Sequence, residues 1–100
     1  MTDDSLQLQG CADFAAGRLP RAEAAFRALA VLRPEDSSAL SNLGGVLNAE
    51  HRHDEAEVAC RRALALTPDS WTAWANLGTA LHGRQQRPEA VAAYAEALRR

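Results

Sequence analysis

The sequence predicts an all-α fold, an α-solenoid of three helix-turn-helix repeats and six helices. Three observations lead there. The chain matches itself at a spacing of 34 residues, so that Ser41-Asn42-Leu43-Gly44 is answered by Ala75-Asn76-Leu77-Gly78. Its apolar residues are dominated by Ala, with no Ile and only 5% aromatics, a composition that favours helices over strands. Within each repeat the apolar positions follow helical spacing: Leu40, Leu43, Gly44 and Leu47 share one face at i, i+3, i+4, i+7.

The elements follow in order. Helices are expected over 4–16, 20–32, 37–50, 54–66, 71–84 and 88–99, within a single domain 1–100 whose repeats run 3–36, 37–70 and 71–100. Pro20 and Pro88 sit where a first-turn proline is tolerated. Pro34 stops the second helix, and Asp36 or Ser37 can cap the third. The polar run Glu50-His51-Arg52-His53 ends the third helix, and Asp54 can cap the fourth. Gly10, Gly44 and Gly78, with Ala22, Ala56 and Ala90, let the two helices of a unit approach closely. One such pair cannot bury its own apolar face, whereas three stacked pairs share a continuous core.

Trp74-x-x-Leu77-Gly78-x-x-Leu81, followed by Ala90, Tyr94 and Ala97, with Pro68 closing the previous unit, resembles the tetratricopeptide repeat in pattern and period. The resemblance covers nearly the whole chain and implies a right-handed solenoid, here with no obvious capping helix after the third unit. In the first unit Gln9 and Asp13 replace Leu43/Leu77 and Leu47/Leu81; at a terminal unit such polar residues are expected to face water.

The resemblance also implies a non-catalytic module that binds a protein or peptide partner in a concave groove lined by the first helix of each unit. The expected groove residues are Asp4, Leu8 and Cys11 in unit one, Ser38, Asn42, Gly45 and Asn48 in unit two, and Thr72, Asn76, Thr79 and His82 in unit three. These side chains are short and almost uncharged, unlike an ordinary solvated helix face. Asn42 and Asn76 offer a donor and an acceptor each, matching either an extended peptide backbone or a neighbouring helix. The pair is similar to the asparagine ladder in the repeat region of O-linked N-acetylglucosamine transferases, with two rungs. The chaperone-binding branch of the family uses Lys and Arg to clamp a carboxylate, and these positions carry neither.

Other chemistry is argued against. A net charge of −2 attracts neither nucleic acid nor membrane. His51, His53 and Asp54 lie in a turn with only His82 elsewhere, too few converging ligands for a metal site. No nucleophile–base pair or phosphate loop stands out, so no enzyme activity and no cofactor are expected. Unpaired Cys11 and Cys60 and an acidic N-terminus without a signal-peptide pattern point to a reducing cytoplasm, and the Arg-only, Ala-rich usage to a GC-rich bacterial genome.

The chain reaches Arg100 without a further helix. Leu77, Leu81, Val91 and Leu98 are therefore expected to be partly uncovered, a surface suited to self-association as a homodimer. The alternative is that the chain is the N-terminal array of a larger bacterial enzyme, such as a glycosyltransferase.

Overall fold

The computed structural model describes residues 2–100. It contains α1 (Asp3–Ala15), α2 (Leu19–Leu32), α3 (Ser37–Ala49), α4 (His53–Leu66), α5 (Trp71–Gly83) and α6 (Arg87–Arg99). No strand occurs among the described residues. The helices pair as α1/α2, α3/α4 and α5/α6, and each second helix also packs on the first helix of the next unit. The result is an elongated stack of 41 × 24 × 19 Å.

The first helix of each unit is capped by a side chain. Thr2 Oγ1 accepts from Ser5 N at 3.1 Å, Asp36 Oδ1 from Ser38 N at 3.0 Å, and Ser70 Oγ from Ala73 N at 3.2 Å. The second helices have no such cap. Asp54, expected as the cap of α4, lies inside its first turn and pairs with Arg84 at 2.9 Å. Each first helix ends alike, on a left-handed residue: Gly17 (φ 79°), His51 (φ 60°) and Gln85 (φ 63°). The following amide then reaches back to the last turn, as Arg18 N to Asp13 O, Arg52 N to Leu47 O and Gln86 N to Leu81 O, all at 2.8 Å.

The glycines at 34-residue intervals have a steric cause. A Cβ on Gly10 would stand 2.8 Å from the Phe26 ring, on Gly44 2.5 Å from Cys60 Sγ, and on Gly78 2.7 Å from the Tyr94 ring. Those three second-helix side chains lie directly on the first-helix backbone. Around them run the buried Leu29, Leu40, Leu43, Val46 and Leu47. Burial pushes the Cys60 thiol up to about 12, so it stays protonated and packs as a small apolar group.

Two expectations are corrected here. Asp13 does not face water: it is 0% exposed. Gln9 Nε2 and Arg18 Nε each donate to its carboxylate at 3.0 Å, and Arg21 Nε lies 3.6 Å away. The Gln9 hydrogen bond first, and then Arg18, hold its carboxyl below the usual range. Leu77 and Leu81 are not uncovered either, each being 2% exposed. They form the floor of a cleft of about 470 Å³, with Trp74, Ala93, Arg61 and Glu96 around it.

Candidate interaction surfaces

At the second junction the first helices α3 and α5 pack directly on each other, whereas α4 and α6 have no comparable contact. The inner side there is therefore the side of the first helices.

On that side the junction between the second and third units is stitched by two amides. Asn76 Nδ2 donates to Ser41 O on α3 at 2.9 Å. Asn48 Nδ2 donates back to Asn76 O on α5 at 2.9 Å. The other end of the Asn48 amide lies 3.0 Å from His53 Nδ1; an amide oxygen can only accept, so the imidazole carries its proton on Nδ1. The His53 ring in turn lies over Gly83, whose missing Cβ leaves it room. Gly45 serves the same junction: a Cβ there would sit 3.3 Å from Asn76 Nδ2.

Asn48 is thus corrected from a groove residue to a buried one, 8% exposed and with both ends of its amide engaged. Asn76, half-buried, has one donor committed to the neighbouring helix. Asn42 has no such bond among the described residues. The difference lies in the preceding unit, where Cys11 occupies the place of Gly45 and Phe14 the place of Asn48. Phe14 crosses to the second unit, with Cε2 3.5 Å from where a Gly45 Cβ would be.

The remaining predicted groove residues keep surface. Asp4, Leu8, Cys11, Ser38, Thr79 and His82 are exposed, and Gly45 and Thr72 half-buried. Asp4 is held by Arg33, whose Nη2 is 3.3 Å from Oδ1 while Nε donates to Asp3 at 2.9 Å. Trp71, at the start of α5, is 60% exposed. Among the described residues, the ion pair these positions make is that of Asp4 with Arg33. The Asn48 stitch was not legible beforehand, because its acceptor is a backbone carbonyl 28 residues away.

A second cleft, of about 560 Å³, lies at the turn end between His51, His53, Gly83 and Arg84. Its arginines are all paired, Arg52 with Glu23, Glu50 and Glu55, and Arg84 with Asp54 and Glu57. Among the described residues no three His, Cys, Asp or Glu side chains converge as a metal site. Among the described residues no helix is long and apolar enough to cross a membrane.

The fold and its 34-residue repeat define an α-solenoid of helix-hairpin repeats. The chain belongs to the tetratricopeptide repeat family, whose sequence model matches residues 8–70 and 52–100. No curated protein sequence matches it. Among solved structures it is similar to the Arabidopsis OM64 TPR domain, with 19% identity and a TM-score of 0.92 over 96% of this chain and 79% of that one. It is similar to MamA, with 26% identity and a TM-score of 0.86 over 98% of this chain; it spans 57% of the MamA chain. The first TPR of Spaghetti (RPAP3), solved with the HSP90 peptide SRMEEVD, shares 22% identity and a TM-score of 0.92 over 97% of this chain and 77% of that one.

Proposed function

We propose that the chain is a non-catalytic protein-interaction module that takes an extended peptide along the inner face of α1, α3 and α5. The observation that carries this reading is Asn42. It is half-buried on the inner face, its amide has no partner within the described chain, and exposed Cys11 and Ser38 beside it are short enough to admit another backbone. An amide in that position offers a donor and an acceptor to a peptide bond.

Among the described residues proposed for the face none is Lys or Arg, and the acid among them, Asp4, is already paired with Arg33. The fitting peptide is uncharged or mildly basic. An acidic segment such as SRMEEVD, which the Spaghetti (RPAP3) domain holds, lacks a basic counterpart here and serves as the negative control.

The test is to pan a random decapeptide library on the chain and titrate the recovered peptides against wild type and Asn42→Ala. Loss of one amide contact should weaken binding by about 1 kcal/mol, or roughly fivefold, with the melting temperature unchanged. Peptides that bind Asn42→Ala as tightly as wild type would remove the reading.

A second reading, a self-associating scaffold, is favoured by the exposure of Val91 and Leu98 on α6, 67% and 89%.

A further inference from the structure

The contacts that seal the second unit to the third can be transposed onto the two ends of the stack. A residue of unit two maps to the tail face 34 positions later, and a residue of unit three maps to the head face 68 positions earlier. The pair Gly45–Asn76 becomes Thr79–Leu8. The ion pair Glu57–Arg84 becomes Val91–Ala16. Leu64, which packs with Ala73, becomes Leu98 facing Ser5.

Both ends have changed together. Leu8 brings no donor where Asn76 brings one. The carbonyl that would need it, Ala75 O, is already satisfied: Thr79 Oγ1 donates to it at 3.2 Å and lies 3.1 Å from the Tyr94 hydroxyl. Where the inner junction sets a glutamate against an arginine, the tail offers Val91 and the head Ala16, so neither a charge nor its partner is left over. Leu8 is 72% exposed, Val91 67% and Leu98 89%. On the head face Ser5, Ala12, Ala15 and Ala16 are exposed and small; their counterparts Ala73 and Ala80 are 0% exposed at the inner junction.

We propose that the chain stacks head to tail on a second copy of itself, with α1 of one copy seated on α5 and α6 of the next, as α5 sits on α3 and α4 within the chain. The matched loss of polar groups on two faces 41 Å of stack apart argues for this occupant, because a partner of other chemistry would constrain one face only. The two faces differ, so the contact is heterologous, and copies add without closing. The inference is independent of peptide binding, which rests on Asn42.

The test is sedimentation velocity over a concentration series on the wild-type chain, Leu8→Glu, Leu98→Glu and their equimolar mixture. Both leucines are exposed, so circular dichroism and melting should match wild type. Wild type should grow past dimer as concentration rises. Each variant alone should be weakened at least about tenfold, toward monomer, because each contact needs one intact head and one intact tail. The mixture should form dimers and stop, since it has one good head and one good tail to join. A wild type monomeric to about 1 mM, a range that reaches even weak association, overturns the proposal and leaves the tail face to a following segment or another protein. Association lost in Leu98→Glu but kept in Leu8→Glu overturns it in favour of a symmetric tail-to-tail pair. A mixture that stays monomeric overturns it as well.

Discussion

Two junctions hold the three units together, and the same asparagine stands at each. Between α3 and α5, Asn76 reaches Ser41 O across Gly45, and Asn48 returns a bond to Asn76 O. Between α1 and α3, Cys11 stands at the position of Gly45, Phe14 at that of Asn48, and Asn42 makes neither bond among the described residues. The helices register this: α3 and α5 pack on each other more closely than α1 and α3 do. The same repeat position therefore differs between the two units: Asn76 is a rivet between helices, and Asn42 has no hydrogen-bond partner among the described residues.

The comparison breaks most visibly at Asn48. Its replacement by Ala strips a donor from Asn76 O and an acceptor from His53 in a site only 8% exposed. Two lost hydrogen bonds with partners left behind should destabilise the fold by about 2 kcal/mol. For a domain of this size that is a fall of roughly 10 °C in melting temperature, read by circular dichroism. The equivalent change in unit one, Phe14→Ala, removes packing but no hydrogen bond, and should not shift the amide exchange of α5.

Next comes the contrast between the asparagines themselves. Asn76→Ala should cost about 1 kcal/mol of stability, because Ser41 O loses its side-chain donor. Asn42→Ala should stay within about 0.5 kcal/mol, as expected for a side chain without a partner. Equal losses at the two sites would show that the junctions are alike.

These differences mark what the sequence could and could not disclose. The stack was legible because its determinants repeat: a glycine under an aromatic or thiol, leucines one helical turn apart, a proline at the unit boundary. Each recurs at the same position of its unit. The stitch was not, because Asn76 answers to a carbonyl in the previous unit and a carbonyl has no letter. The substitution of Cys11 for Gly45 was visible, but it gains meaning only beside an asparagine 31 residues further on. Asp13 misled for a related reason. Read by position it was a polar residue in an apolar site at an end, whereas Arg18 and Arg21 fold back across the turn and seal it. Arginines five and eight residues after such an acid were the available signal. Leu77 and Leu81 were judged by the missing next unit, but α4 and α6 of the chain itself cover them.

A double-mutant cycle sharpens the comparison further. In the wild-type background Gly45→Ala brings a methyl to 3.3 Å from Asn76 Nδ2, so the amide must shift and its bond to Ser41 O weakens. In the Asn76→Ala background that obstacle is gone, and the same change only removes a glycine from a helix interior, a gain of about 0.5–1 kcal/mol. The two effects of Gly45→Ala should therefore differ by about 0.5 kcal/mol or more in urea unfolding. Additivity would mean that Gly45 and Asn76 do not act on each other.

The smallest expected effect lies at the first junction, which has an ion pair like the Arg84–Glu57 pair of the second but lacks the amide stitch beside it. Arg52, after α3, donates to Glu23 on α2 at 2.7 Å, and Glu50 stands beside them with a 3.4 Å contact to the same guanidinium. Two carboxylates around one arginine split apart. Burial, and then the neighbouring Glu23, raise the Glu50 carboxyl above its ordinary value. Glu23 falls below its own: burial opposes the shift, and the bonds from Arg27, Glu50 and Arg52 together outweigh it. A carboxyl raised in the folded state contributes stability that is full below its unfolded pKa and is lost as pH rises through the folded value. Glu50 is therefore protonated at least strain and charged at a loss near neutrality. Glu50→Gln, which keeps the shape of the protonated form, should stabilise the chain at pH 7 by less than about 1 kcal/mol, the ceiling for a partly solvated charge pair. The gain should vanish below pH 4, where wild type carries the proton itself. Glu23→Gln should do the reverse, destabilising at pH 7 and fading as the pH falls, because its bonds require the carboxylate. Melting curves of both variants between pH 3.5 and 8 would separate the two signs. A Glu50→Gln gain that persists at low pH would assign it to packing rather than to charge.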